Sequence, residues 1–394
     1  MLIHGQILQK KHYKFIKMAK LDILLLGSYG QSNLGDDALL FSYLKFLTKR
    51  FGNKINSIYV NTNNKANIPD FIVNEFKNIN FFETYNGSFF KKIKIFTKSD
   101  IILFGGGSLI KELNRNTSRN KYSTLVNLLL LTTFFRFLNK KIVALNIGIG
   151  PLKTKLGRVL ARLIIYNLSY IITRDNTSYL EARKLSNKPK RIIDSSDGVF
   201  LIDWNKYSSS KIDRKKSKFI GLNFNFNVDD KVPIDLYRKN VIGLINAITK
   251  KYPNYNIIFF PFQTKFDINN DLAFFKKSIL TNIKDKKRIK IIENLNLENL
   301  INNLNKLRCF IGTRYHSIIF CIISKTPFYN IAYDVKCESI LKELGFENNS
   351  RVDDINFNEI FRFIENTSKK EILDKNYSYC YSKINKNFKN IDWL

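Results

Sequence analysis

Short apolar blocks that stop at a glycine and run on into a helix recur along this chain, and that alternation constrains its fold more than any other feature. The first block is Leu21 to Leu26, closed by Gly27. After a loop to Gly35, Asp36 and Asp37 stand where a helix cap and first turn favour acids, ahead of ALLFSYLKFLTKR. A near-continuous apolar block of this length fits a strand buried on both faces of a parallel sheet. Further strands are predicted at Ser57 to Asn61, Asp100 to Phe104, Lys141 to Ile147 and Tyr170 to Thr173. Helices are predicted near Ser123 to Leu138, Thr154 to Asn167 and Thr177 to Leu185. A second series follows the polar stretch Lys206 to Lys218. It has strands at Phe219 to Phe224, Ile257 to Pro261, Ile289 to Glu293, Cys309 to Gly312 and Phe328 to Tyr333, then a helical region Glu359 to Phe388. Strands alternating with helices imply an α/β class with parallel sheets. The expected architecture is two Rossmann-like domains facing a cleft, residues 21–205 and 219–394. Residues 206–218 are the linker, 1–20 form an N-terminal extension, and helices close the second domain. A length of 394 residues suits two or three domains.

The chain carries 65 Lys and Arg against 33 Asp and Glu, a formal charge of +32. Such an excess attracts nucleic acid, an anionic membrane or an anionic substrate. Only 16 of the basic residues are Arg, and the lysines are spread along the chain beside abundant Asn and Ile, as AT-rich coding would give. No zinc-finger spacing, basic heptad or RNP-type aromatic motif is present, so a nucleic-acid partner is not expected. The cysteines Cys309, Cys321, Cys337 and Cys380 form no C-x-x-C pair. Neither zinc nor a disulfide framework is suggested, and a reducing cytosol fits. The most apolar stretch, Leu125 to Phe135, is broken by Asn127 and two threonines and is too short to span a membrane. The first twenty residues lack the apolar core and cleavage site of a signal peptide. They read as an upstream extension in preference to a basic arm on anionic lipid.

In open α/β sheets ligands gather where loops leave the carboxyl ends of strands and helices begin, and five segments meet that description. In Gly27 to Asp37 the glycines free the backbone, and Asn33 and Asp36 suit hydroxyl recognition; a tight turn with an ordinary cap is the plain alternative. Gly105, Gly106 and Gly107 follow a strand directly, and consecutive exposed N–H groups can cradle an anion. Arg174 ends a strand and opens onto a capped helix, where its fork can hold a carboxylate or phosphate, or else pair with Asp175. Arg314 and His316 precede a helix apolar on nearly every side. That makes a cationic helix end with the one imidazole outside the N-terminal extension, and so the candidate for acid–base work. Asp334 and Lys336 follow the last strand, in a segment that otherwise reads as a solvated loop.

In this order the segments resemble the polysaccharide pyruvyltransferase family. The matching stretches run from about Leu21 to Gly345: N-x-G-D-D at Asn33 to Asp37, G-G-G-S-L, G-x-G-P-L at Gly148 to Leu152, R-D-x-x-S at Arg174 to Ser178, Asp197, R-x-H at Arg314 to His316, and Y-D-x-K at Tyr333 to Lys336. The resemblance implies a GT-B-like fold and transfer of pyruvate from phosphoenolpyruvate to a sugar of a surface polysaccharide or its lipid-linked precursor, closing a cyclic ketal. It also implies a cytoplasmic site, with a lipid-linked acceptor placing the work at the inner face of the membrane. By the same resemblance Arg314 and His316 match the donor site and Arg174 matches the R-[DE]-x-x-S segment. Tyr315 stands where leucine is common. His316 is expected as general acid, with Asp36, Asp175 and Asp334 open as bases. No metal-ligand set is visible in the sequence, so chemistry without metal or cofactor is expected. The alternatives are a GT-B glycosyltransferase using a nucleotide sugar, and a non-catalytic glycan-binding homologue.

Overall fold

A computed structural model describes residues 20–389 apart from 77, 114–118, 208–212, 226–231, 265–269 and 368–369. Nearly all of the N-terminal extension and part of the linker thus lie outside the described residues. The first sheet contains β1 (Leu21–Leu26), β2 (Ile55–Thr62), β3 (Ile79–Glu83), β4 (Ile101–Gly105), β5 (Ser108–Ile110), β6 (Lys141–Ile149), β7 (Tyr170–Thr173) and β8 (Ile192–Asp194). The second contains β9 (Phe219–Asn223), β10 (Asn256–Phe259), β11 (Ile289–Ile291), β12 (Cys309–Gly312), β13 (Phe328–Ala332) and β14 (Asn349–Arg351). Helices α1 (Leu34–Phe51), α2 (Asp70–Glu75), α3 (Phe89–Lys98), α4 (Ser123–Phe137), α5 (Lys155–Asn167) and α6 (Asn176–Leu185) accompany the first sheet. α7 (Ile234–Lys251), α8 (Asp271–Phe274), α9 (Leu297–Asn305), α10 (Tyr315–Ile323), α11 (Val335–Glu343), α12 (Phe357–Glu365) and α13 (Lys370–Lys389) follow.

The first sheet runs β3-β2-β1-β4-β6-β7-β8, with β5 against β6, and the second runs β11-β10-β9-β12-β13-β14; the strands in both are paired in parallel. The chain reverses its direction of travel across each sheet between β1 and β4, and again between β9 and β12. Loops therefore diverge there and leave a crevice at the carboxyl edge. The strands missed from sequence are β3, β5, β8 and β14: three are only three residues long, and β3 and β14 lie at sheet edges. Such segments need little apolar character, so periodicity does not mark them.

The domains share one apolar core. Leu34, Leu39, Phe41 and Trp204 of the first pack in the same cluster as Phe260, Tyr315, Ile318 and Phe320 of the second, with the Trp204 and Phe320 rings 5.5 Å apart. Every residue of α10 except His316 is buried, as its nearly uniform apolarity demands. The region expected to be helical after Glu359 divides into α12 and α13. α13 then returns to the first domain: Phe388 meets Phe46, Asn387 donates to Asp194 O, and Tyr377 donates to Asp203. The four cysteines are buried free thiols.

Candidate functional site

Loops from the carboxyl edges of both sheets enclose a cleft of about 450 Å³, lined among others by Ser108, Lys111, Lys153, Arg174, Arg314 and Lys336. The domains meet at Gln263, one of its lining residues. Asn33 caps α1 by accepting from Gly35 N at 3.0 Å and bridges Gln263 across the interface, while Leu34 N donates to Phe262 O at 2.9 Å. Gly35 is what lets His316 approach: a Cβ there would lie 1.9 Å from His316 Nδ1. His316 Nε2 faces Asp197 Oδ2 at 4.0 Å, and among the described residues neither atom has a hydrogen-bond partner. Asp197 Oδ1 is held by Val199 N at 3.0 Å, which fixes the carboxylate beside the imidazole.

Each arginine is oriented before any ligand arrives. Arg314 Nε donates to Asp271 at 3.1 Å and Nη2 to Gln263 Oε1 at 2.8 Å. Arg174 Nε donates to Asp175 Oδ2 at 3.0 Å and Nη2 to Ser108 Oγ at 3.0 Å. Its guanidinium lies 4.5 Å from the centre of the Tyr315 ring, a cation–π contact across the domain boundary. Tyr315, the departure from the family's leucine, is thus the shelf on which Arg174 rests. Gly148 leaves room beneath, since a Cβ there would meet Arg174 Cζ at 2.6 Å.

Burial and this cluster of charge displace the titrations. Burial pushes Asp36 up to about 7 against the pull of Arg314 and Lys336. It likewise pushes Asp197 up to about 6. Burial lowers His316 to about 3, and Arg174, Lys336 and Arg314 add to the effect. Lys111 falls to about 8, first through burial and then through Lys336. Burial raises Asp334, but Lys336 and Lys111 outweigh it and leave the carboxyl below its usual range.

Several sequence expectations therefore change. His316 was expected as a ready general acid, yet in the free protein its imidazole is neutral, because burial and three neighbouring cations disfavour a further positive charge. Of the Gly105 to Gly107 run only Gly107 is open, with nothing near a Cβ built on it. Gly106 N donates to Leu145 O at 2.9 Å, Gly105 and Gly106 are buried, and their missing Cβ atoms admit Tyr29 and Leu39. Ser108 is the member of that loop lining the cleft. Asp175 is occupied by Ser178 N at 2.7 Å and by Arg174, and Asp334 caps α11 at Lys336 N and lies 3.6 Å from Lys336 Nζ. Asp36 is the candidate base left without a donor among the described residues. Lys111, Lys153, Gln263 and Asp271 were missed. Lys111 directly follows β5, so recognition of that three-residue strand would have found it. Among the described residues no group of three or more His, Cys, Asp or Glu is placed to hold a metal ion.

The two parallel sheets and the cationic cleft between them define a two-domain protein of GT-B-like fold. Its sequence matches the model of the family described as polysaccharide pyruvyl transferase over residues 33–335; the chain belongs to that family and is a transferase. Comparison with curated proteins gives no match. Among solved structures, UDP-GlcNAc 2-epimerase from Neisseria meningitidis bound to UDP-GlcNAc is 13% identical, with a TM-score of 0.60 over 94% of this chain and 98% of its own. HepE from Anabaena in complex with UDP and glucose is 14% identical, with a TM-score of 0.60 over 94% and 98%. UDP-GlcNAc 2-epimerase from Methanocaldococcus jannaschii, in complex with UDP-GlcNAc and UDP, is 14% identical, with a TM-score of 0.58 over 93% and 98%. At such identities the likeness is one of fold.

Proposed function

We propose that the cleft binds phosphoenolpyruvate and transfers its pyruvyl group to two hydroxyls of a sugar in a surface polysaccharide or its lipid-linked precursor, forming a cyclic ketal. The observation that carries this reading is the convergence of Lys111, Arg174, Arg314 and Lys336 on one cleft, with Arg174, Arg314 and Lys336 near enough to act on the His316 imidazole and Arg314, Lys336 and Lys111 on the Asp36 carboxyl. A donor bearing both a phosphate and a carboxylate needs separate cationic anchors, and the two oriented guanidiniums supply forks for them.

In this mechanism the donor brings its own proton switch. Its negative charge offsets Arg174, Arg314 and Lys336, the cations that add to burial in keeping His316 neutral, while Asp197 favours the imidazolium from the other side. His316, charged in the complex, protonates the methylene carbon and leaves an oxocarbenium centre at C2. A sugar hydroxyl attacks C2, the C2–O bond to phosphate breaks, and the second hydroxyl closes the ring. Of the two hydroxyl protons, one replaces that given to the methylene and one leaves with phosphate. Asp36, poised near neutrality beside Gly35, accepts protons from the acceptor.

The test is phosphate release from phosphoenolpyruvate by purified protein with cell-envelope glycan precursors, followed by mass spectrometry of the acceptor. Acceptor-dependent phosphate and a mass gain of one carboxyethylidene group are expected, and His316→Gln should abolish both. No release across a broad acceptor set, with turnover of a nucleotide sugar instead, would overturn the reading in favour of a glycosyltransferase.

A further inference from the structure

From Leu113 to Arg174 the sequence contains eleven Lys or Arg and no Asp or Glu. This acid-free stretch includes α4 and α5, which lie side by side. Tyr122 OH bonds Thr154 Oγ1 at their N-terminal ends, and Arg136 lies 4.3 Å from the Tyr166 ring at their C-terminal ends. Each helix buries one side in the domain and leaves an apolar row in solvent. On α4 the row is Val126, Leu130 and Phe137, with Phe137 84% exposed; on α5 it is Leu156, Val159, Leu163 and Tyr166. The spacings, close to whole turns of helix, put each row on a single outward face. Arg136, Lys155, Arg158 and Arg162 are exposed beside the rows. Glu181, which borders the face from α6, is neutralised by Arg158 at 2.8 Å.

Beside the C-terminal part of α5 a groove of about 280 Å³ includes Leu163, Leu168 and Leu185 in its wall, together with exposed Arg162, Lys188 and Arg191. Apolar side chains with cations beside them suit an acyl chain and its phosphate, and rows of Leu and aromatic residues flanked by Arg and Lys suit the boundary between headgroups and acyl chains. No helix among the described residues is long and apolar enough to cross a membrane. Contact of this kind is therefore lateral.

We propose that the α4–α5 face docks the protein on an anionic lipid surface, with the groove beside α5 receiving a lipid phosphate and the start of its chain. A second copy of this chain is the poorer occupant, because a two-fold contact through this face would set its uncompensated cations against one another. Lys153 and Arg158 also line the cleft, so the docked face adjoins the cleft mouth. Docking itself stands apart from the proposed reaction; only delivery of a lipid-linked acceptor to the cleft rests on it.

Co-sedimentation of the full chain with vesicles tests the proposal. One set is pure phosphatidylcholine and the other includes roughly 30% phosphatidylglycerol, at ionic strengths from roughly 0.05 to 0.5 M. Binding is expected on the anionic vesicles at low salt, with loss at high salt and little binding on phosphatidylcholine. Each basic residue near the surface contributes roughly fivefold, so the doubly reversed Arg162→Glu/Lys188→Glu protein should bind at least about tenfold more weakly. Leu130→Asp/Leu163→Asp should bind as weakly, and circular dichroism should confirm that both variants are folded. Equal binding to both vesicle types, or wild-type binding by the folded charge-reversal variant, would overturn the proposal. So would the absence of vesicle binding together with a dimer in sedimentation velocity that the same substitutions dissociate.

Discussion

Asp36→Asn should make this protein more stable at neutral and higher pH while removing its activity. Asp36 lies in the first turn of α1, only partly accessible, with no donor among the described residues to hold its carboxylate. Burial raises it from 3.8 to about 7 even though Arg314 and Lys336 oppose the change. Because the folded value lies above the unfolded one, the folded state holds this proton more tightly. Below about pH 4 the carboxyl is neutral in both states; as pH rises through about 7 the folded state takes on the full cost of a desolvated charge. That cost is at most about 4 kcal/mol. Asparagine forfeits roughly 0.3–1 kcal/mol of favourable charge at the helix N-terminus, leaving an expected gain of about 1–3 kcal/mol near pH 8 that disappears near pH 4. Urea unfolding of both proteins at about pH 4, 6 and 8 measures this directly, and phosphate release from phosphoenolpyruvate should show kcat reduced by about 100-fold or more. A gain of the same size at all three pH values would refute the desolvation argument. Wild-type turnover would refute the role assigned to the carboxylate.

Two further substitutions probe the architecture around the donor. Tyr315→Leu, which installs the residue common in the family, removes the ring beneath Arg174; at roughly 0.5–2 kcal/mol the KM for phosphoenolpyruvate should rise about three- to thirty-fold with kcat much less affected, and an unchanged KM would show that Asp175 and Ser108 alone orient the guanidinium. Gly35→Ala places a methyl 1.9 Å from His316 Nδ1, so the imidazole must leave Asp197; kcat should fall on the order of 100-fold with a smaller change in KM, whereas full activity would mean the ring is not held where catalysis needs it.

The sequence legibly specified what depends on regular burial. β1, β7 and β12 begin and end where the apolar blocks do, and α10 is as buried as its composition requires. It also placed Arg174, Arg314, His316 and Asp36 at carboxyl edges, because the rule that ligands gather there needs only strand positions. What it withheld depends on partners distant in the chain. Asp175 and Asp36 each stand at or near the start of a helix, yet Asp175 is engaged by Arg174 and Ser178 while Asp36 has no donor among the described residues. Only the three-dimensional arrangement tells the two carboxylates apart. The glycines after β4 carry the same ambiguity. A Gly-Gly-Gly run signals a close approach without saying of what, and here Tyr29 and Leu39 fill the space beside Gly105 and Gly106 while that beside Gly107 stays open.

The protonation of His316 illustrates the limit most sharply. An imidazole between two arginines and a lysine, read from a list of residue types, is equally a general acid or a neutral ring. Its state follows from the balance between three cations, one buried aspartate at 4.0 Å and the loss of water. Of these only Arg314 is local in sequence: Asp197 is contributed by the loop after β8 and Arg174 by the end of β7, both in the other domain, while Lys336 follows β13. The domain interface is therefore part of the proposed acid–base apparatus. A substitution such as Tyr315→Leu, which alters no titrating group of the proposed mechanism, reaches this interface through the position of Arg174.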